Sequence, residues 1–379
     1  MRILFVSSEY PPITDGIGAY VGSVTPALVA RGHTVHVLSC MPGQERSDVV
    51  ERGVHVHRRG ELRLRGLDRV VPREVAQRVR RLISCWVEWR RLGERFDVME
   101  VPDWMAEGLL IRGTPIVAHL HTPIKLATRG SGLHVTRAVR AADLLERMAV
   151  RRARLVTAPS RLIVESLRGW LRSGVEARVV PYPVDLDQWA GVPPVADGRP
   201  AILCVGRFES RKAPEVLVDA AAALPEAEVV FVGRGYQYRD GLPYREWLER
   251  RAAAAGVACR FVEQVPRHEL PQLYAQARVL AVPSLYDNFP MVALEALASA
   301  RPVVCTDATG TAELLDGSSA GAVAPAGDAG ALAAALKPFV SDLEVAAAAG
   351  QEGRRLVAAK CSPERIAELR EACYEDALA

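Results

Sequence analysis

Lysine is scarce in this 379-residue chain, present only at Lys125, Lys212, Lys337 and Lys360. Arginine carries almost all the remaining basic charge, and 48 basic residues against 45 acidic ones leave a formal net charge of +3. So small a balance excludes the strongly basic footprint of a nucleic-acid binder. Cysteine is sparse and without pattern. Seven are scattered at Cys40, Cys85, Cys204, Cys259, Cys305, Cys361 and Cys373, mostly inside apolar runs, with no Cys-x-x-Cys pair. That excludes a disulfide framework, argues against zinc, and points to buried thiols in a reducing compartment. Long hydrophobic runs are missing too. No stretch approaches the roughly 20 apolar residues that cross a bilayer. Met1–Val6 opens directly as a strand with no signal-peptide pattern, so the expected location is the cytoplasm.

What is present is an ordinary globular composition, 49% hydrophobic and 25% charged, on a chain long enough for two domains. Short β-branched runs alternate with amphipathic stretches, the pattern of a doubly wound parallel sheet. Strands are expected at 3–7, 34–39, 54–58, 97–100, 115–119, 155–158 and 178–180. The alternation breaks in the Pro- and Gly-rich stretch 189–200. It restarts with strands at 201–205, 228–232, 258–262, 279–281, 302–305 and 321–323. Two successive α/β domains follow, each opening with a strand and a Gly-containing turn. A ligand is expected at the carboxyl ends of their strands. A last helical stripe, Ile366, Leu369, Tyr374 and Leu378, marks a closing helix. No short-period repeat or low-complexity tract is visible.

Five loops carry chemistry. Asp287-Asn288-Phe289-Pro290 ends a strand, and Pro290 opens a helix in whose first turn a missing N–H is harmless. The first amides of that helix, at Met291 and Val292, can receive phosphate. Asp287 and Glu295, with seven residues between them, supply carboxylates on either side, a layout suited to a nucleoside-diphosphate sugar. After the strand 201–205, Arg207 and Lys212 flank a tight turn and can converge on a diphosphate. The turn Tyr10–Tyr20 contains Gly16 and Gly18, whose missing Cβ lets amides approach phosphate, although it lacks a dinucleotide fingerprint. His119-Leu120-His121 ends the strand 115–119 with no cysteine or carboxylate cluster beside it, so a zinc site is not expected. Asp307–Leu315 completes the set. Taken one at a time, a solvated turn explains each; in register along one chain, they do not arise by chance.

Together these segments resemble the retaining glycosyltransferases of family 4. Asp287 and Glu295 match the E-x7-E signature with Asp for the first Glu. The turn at Gly16 matches P-x-x-G-G-I-G, with Asp15 for a glycine. Gly206–Ala213 matches G-R-x(4)-K-G, with Ala213 for the last glycine, and Asp307–Glu313 matches G-G-x-x-E. The resemblance implies a GT-B fold: a Rossmann-like acceptor domain over 1–190, a Rossmann-like nucleotide-sugar domain over 191–361, and a helix over 362–379 returning to the first. It implies transfer of a hexose of the glucose or N-acetylglucosamine type, with retention, from a nucleotide sugar, UDP-linked, to an acceptor hydroxyl. No metal or other cofactor is expected. His121, Asp287, Arg207 and Lys212 would take the catalytic roles. Gly16, Val262, Asn288, Phe289, Met291, Val292 and Glu295 would join Asp287, Arg207 and Lys212 in binding the donor. Val262 stands where the family reads the nucleobase through backbone groups, and Glu263 beside it replaces a glycine. Asp185-Leu186-Asp187 spells a metal–diphosphate motif of a different fold and reads as structural. The alternative is a GT-B epimerase acting on a nucleotide sugar without acceptor.

For the acceptor side, Asp103 and Trp104 follow a strand and are candidates for the first domain's binding surface, with helix capping by Asp103 as the competing role. The 61–95 stretch carries ten arginines against five acids. Val75, Val79, Leu82, Trp86 and Trp89 form a stripe at helical spacing within it. The primary reading is a helix covering a sheet with its arginines solvated; the other is peripheral contact with an anionic membrane face.

Overall fold

The computed structural model describes residues 1–12, 16–172, 175, 177–194 and 197–379. The loop position Asp15 therefore lies outside the described residues. The chain divides into two compact units. One comprises Met1–Arg129, Leu133–Pro183 and Pro363–Ala379; the other comprises Gly130–Gly132 and Val184–Ser362.

The first unit is built on eight strands: β1 (Arg2–Val6), β2 (Thr34–Met41), β3 (Ser47–Glu51), β4 (Val54–Gly60), β5 (Val98–Pro102), β6 (Ile116–His119), β7 (Leu155–Ala158) and β8 (Ala177–Val179). They lie in the order β3-β4-β2-β1-β5-β6-β7-β8, parallel except where β3 pairs antiparallel with β4. The central strands are buried on both faces, which is why they read as continuous apolar runs rather than alternating ones. β3 is the strand the sequence pattern does not announce. Its Ser-Asp-Val-Val-Glu is largely exposed, and Arg52 and Gly53, both at positive φ, form the two-residue turn that folds it onto β4.

In the second unit β9 (Ala201–Val205), β10 (Glu228–Val232), β13 (Cys259–Val262), β14 (Val279–Val282), β15 (Val303–Thr306) and β16 (Gly321–Ala324) form a wholly parallel sheet. Its order is β13-β10-β9-β14-β15-β16. A small hairpin of β11 (Tyr238–Arg239) and β12 (Leu242–Pro243) sits beside it in sequence. The core gathers Ile202, Val229, Phe231, Val279 and Val304 from the sheet with Leu217, Leu248, Leu332 and Leu336 from the helices. Val184–Trp189 belongs to this unit, so its start precedes the Pro- and Gly-rich stretch. The indole of Trp189 is the anchor, buried edge-on against Tyr274 at 5.4 Å.

Both sheets reverse their winding direction at one place, between β1 and β5 in the first unit and between β9 and β14 in the second. At such a switch point the neighbouring crossovers leave for opposite faces, opening a crevice at the carboxyl ends of the two strands. The last helix, Pro363–Leu378, packs on the first unit's helix Gly16–Ala30. Its buried face is Ile366, Ala367, Arg370, Cys373, Tyr374 and Ala377, while Leu378 is exposed. Of the apolar stripe read from the sequence, Ile366 and Tyr374 are buried as expected, whereas Leu369 is half-buried and Leu378 exposed, because a buried arginine occupies part of the packed face.

Candidate active site

In the second unit the crevice between β9 and β14 is lined by Gly206, Arg207, Phe208, Lys212, Ser284 and Val292, among others. The loop after β9 is held by backbone. Gly206 N donates to Val232 O at 2.9 Å and Phe208 N to Arg234 O at 3.0 Å. Gly233 allows that approach, since a Cβ there would stand 1.9 Å from the Gly206 carbonyl oxygen. The turn ends at Ala213, whose φ of 44° and ψ of 49° place it in the left-handed region. That region favours glycine, which explains why the resembling motif carries one.

The loop after β14 is clamped from two sides. Asp287 N donates to Ala308 O and Gly310 N to Asp287 O, both at 3.0 Å, so the 307–310 turn grips its backbone. From the other side Leu285 N donates to Arg211 O at 2.9 Å, and Arg211 Nη1 donates to Tyr286 O at 3.1 Å. The Asp287 carboxylate forms an ion pair with Lys212 Nζ and lies 3.6 Å from Arg211 Nη1. Burial alone would raise this carboxyl, but the Lys212 and Arg211 charges hold it below its ordinary value. Burial pulls the Lys212 ammonium down, with Asp287 opposing. Arg207 lines the same crevice as Lys212, its side chain 62% exposed and 3.4 Å from Glu209.

Pro290 is the N-cap of the helix Met291–Ala298 rather than a member of its first turn. The amides of Met291 and Val292 have no carbonyl four residues back inside the helix, and Val292 lines the crevice, so this helix start can serve as an anion donor. Asn288 and Phe289 are buried beneath that start. Glu295 is also buried, 2.9 Å from Arg267 Nη2, and accepts from the Tyr274 hydroxyl at 3.3 Å. Burial raises its carboxyl above the ordinary value against the pull of Arg267. Val262 closes β13, and its carbonyl accepts from Gly233 N at 3.0 Å. Glu263 turns outward and pairs with Arg245.

The first unit's crevice, between β1 and β5, is lined by Ser7, Ile17, Tyr20, Glu100, Pro102, His119 and His121, among others. Gly16 begins the helix beside it, and nothing stands within 4 Å of where its Cβ would be. His121 is buried, its Nδ1 sharing a 2.5 Å hydrogen bond with the Tyr182 hydroxyl and its ring stacked on Tyr182 at 5.5 Å. Burial, and then the charge of Arg370, lower its pKa to about 3. Asp103 is wholly buried, and Oδ1 accepts from His121 N at 2.9 Å. Its place in this structure is therefore under the histidine loop, not at a surface. Trp104 is half-buried with the Arg78 guanidinium 5.2 Å over its ring.

The helix Arg73–Leu92 corrects the expectation of solvated arginines. Arg78 is 1% exposed and pairs with Glu146 at 2.5 Å, while Arg81 is buried between Glu61 and Glu107. Its buried face is Ala76, Arg78, Arg81, Leu82, Cys85 and Glu88; Val75, Val79, Trp86 and Trp89 are only half-buried. Charge-paired arginines displace the apolar stripe because their partners lie on distant segments that periodicity does not reveal. Sequence reasoning also missed Arg211, Arg267, Glu100 and Arg370. Only Arg211 carried a signal, its adjacency to Lys212. Asp185 accepts from Asp187 N at 3.1 Å and so caps its own short turn. No cluster of His, Cys, Asp and Glu suited to a metal occurs among the described residues.

Two crevices of this kind, each at a Rossmann-like switch point and the second carrying an Arg–Lys pair beside a helix start, define a nucleotide-sugar transferase architecture of the GT-B type. Residues 187–356 match the model of glycosyl transferases group 1, and residues 15–183 match the glycosyl transferase 4-like domain. The chain belongs to the group 1 glycosyltransferases. Its relatives include the glycogen synthase of Mycobacterium tuberculosis, 29% identical over 311 residues that cover 75% of this chain and 72% of that one. Among solved structures, sucrose-phosphate synthase from Thermosynechococcus elongatus superposes with a TM-score of 0.80 at 24% identity, covering 99% and 98% of the two chains. Anabaena Alr3699/HepE in complex with UDP and glucose superposes with a TM-score of 0.70 at 18% identity, covering 99% of each chain.

Proposed function

We propose that this enzyme moves a hexosyl group from a UDP-linked sugar to an acceptor hydroxyl with retained anomeric configuration and without a metal. The observation that carries the reading is the crevice between β9 and β14, where Lys212, Arg207 and the first amides of the helix Met291–Ala298 supply positive potential around one small volume. As the bond from C1 to the diphosphate breaks, its electron pair passes to a phosphate oxygen, the acceptor oxygen bonds to C1, and the acceptor's proton goes to that phosphate oxygen. Lys212 and Arg207 stabilise that charge where it develops, usually the largest electrostatic contribution to such a step. The amides of Met291 and Val292 receive phosphate oxygens. Glu295 takes the ribose hydroxyls, exchanging its Arg267 contact in part for the ligand. Asp287, with Asn288 and Phe289 shaping its loop, orients the sugar, and Val262 marks the nucleobase edge through its backbone.

On the acceptor side, His121 supplies a neutral hydrogen-bonding group, and Asp103 positions it from below rather than meeting the acceptor. Trp104 offers an acceptor the part of its half-buried ring that Arg78 leaves uncovered. The named relatives act in glycogen and sucrose-phosphate synthesis, which fits a hexose donor. No described helix is long and apolar enough to cross a membrane. Peripheral contact with anionic lipid is better assigned to the helix Arg137–Arg151 than to 61–95. Its outer face exposes Leu144 and Met148 between Arg137, Arg140 and Arg151.

The test is a thermal-shift screen of UDP- and GDP-sugars, since a ligand of the native state raises Tm. Turnover with the binding sugar, followed by NMR of the product's anomeric proton, then reads the stereochemistry. Turnover abolished by EDTA and restored by magnesium overturns the metal-free part. Formation of an epimer from UDP-N-acetylglucosamine with no acceptor present overturns transfer itself.

A further inference from the structure

The last helix carries a buried cation that the proposed mechanism does not use. Arg370 is 0% exposed. Its Nη2 donates to His119 Nδ1 at 2.8 Å, and its Nη1 donates to Thr157 Oγ1 at 2.6 Å. The guanidinium lies 5.1 Å over the Tyr20 ring and 3.5 Å from Glu100 Oε2. Glu100 also accepts from the Tyr20 hydroxyl at 2.5 Å and from the Tyr374 hydroxyl at 2.6 Å. The His119 ring in turn meets the His121 ring edge-on, 4.7 Å between centroids. A full charge is thus buried directly behind the two histidines that line the first unit's crevice, balanced by one carboxylate on β5.

We propose that Arg370 is a positioning residue of the site, acting through His119: its guanidinium fixes His119 as a hydrogen-bond acceptor and keeps the His119–His121 pair uncharged, so that His121 works as a fixed hydrogen-bonding group and not in proton transfer. The reading rests on the placement of His121 in the proposed function. Its physical basis is repulsion. An arginine does not lose its proton, so a second cation on either ring would be buried beside the first, without bulk water to screen it. Among the described residues, the carboxylate that faces the guanidinium is Glu100, already shared by Arg370, Tyr20 and Tyr374. Asp103 meets the His121 backbone amide, and Tyr182 meets its ring. These groups, with Cys373 beside Arg370, are the titratable neighbours seen among the described residues of β5, the helix Gly16–Ala30, the 180–183 segment and the last helix. The lowered pKa values of both histidines, caused by burial first and Arg370 second, agree with this geometry. The arrangement also makes the closing helix part of the site, since truncating it would remove the charge as well as apolar contacts.

The test combines histidine titration with kinetics in three proteins: wild type, Arg370→Lys, and the neutral pair Glu100→Gln/Arg370→Met, which leaves no uncompensated buried charge. The His121 ring signal, assigned by its loss in His121→Gln, is followed by NMR against pH without donor or acceptor. The expected result is no protonation of His121 in wild type or Arg370→Lys above about pH 4, and a titration raised by about one unit or more in the double variant. UDP affinity should be unchanged in all three. In the double variant kcat should fall about tenfold and gain a new acid limb, and Arg370→Lys should restore most of it. Identical His121 titration in wild type and the double variant overturns the proposal, as does a lysine variant that behaves like the double one. The titration is read on the free protein, so a failure to find sugar transfer leaves it standing and is recognised separately.

Discussion

Replacing Asp287 by asparagine keeps the shape of the loop after β14 and removes one charge. In the free protein that charge neutralises Lys212 and faces Arg211 at 3.6 Å. Breaking a fully buried pair by deleting one partner destabilises by about 3–5 kcal/mol, and an exposed pair contributes about 0–1 kcal/mol. The two side chains here are 22% and 11% exposed, so Lys212 retains access to water and the loss should fall between these limits, about 1–3 kcal/mol. The acid dependence has a definite sign. Asp287 has a depressed pKa in the fold, so its contribution is present above the unfolded carboxyl value and disappears as pH falls through the folded one. Denaturant unfolding of wild type and Asp287→Asn should therefore differ most at neutral pH and converge in acid, below about pH 4. Binding should behave oppositely. With its counter-charge gone, Lys212 is free to meet a diphosphate, so UDP affinity measured by calorimetry should hold or improve. The rate should nevertheless fall about ten- to a hundredfold, the loss of one hydrogen bond to a charged group that orients the sugar. Weakened UDP binding in Asp287→Asn, comparable with that of a Glu295 variant, would refute the division of labour across this loop.

Glu295→Gln should weaken UDP about ten- to a hundredfold by calorimetry. Its Tm at pH 7 should hold or rise, because a carboxyl with a raised pKa costs stability once ionised; a large fall in Tm with unchanged affinity contradicts the ribose assignment. Gly233→Ala places a Cβ 1.9 Å from Gly206 O at a φ of 146° and should lose about 1–3 kcal/mol in denaturant unfolding together with UDP binding. Wild-type stability and binding in that variant would show that the loop after β9 is not fixed by this approach. Wild-type protein should co-sediment with vesicles rich in anionic lipid, and Leu144→Glu/Met148→Glu should not; equal sedimentation of the two excludes this helix face as the contact.

The alternation of apolar runs and helical stretches, and the order of the loop motifs, were legible in the sequence because both are local. A strand buried on two faces is apolar over most of its length, as β14 is throughout, and a loop that meets phosphate must carry small residues and cations at set spacing. Lys212, Asp287 and Glu295 stood out only together, by falling in register on successive loops. What the tertiary structure decided was partnership. That Lys212 is held by Asp287, Glu295 by Arg267, and Arg78 by Glu146 follows from segments brought together across the fold. The last helix is the clearest instance. Its sequence offers Leu369 and Leu378 for burial, yet Arg370 occupies the interior, since Glu100, Thr157 and His119 wait there to receive a buried charge. Periodicity measures the hydrophobicity of one segment; the energy of a buried ion depends on what the rest of the chain places against it.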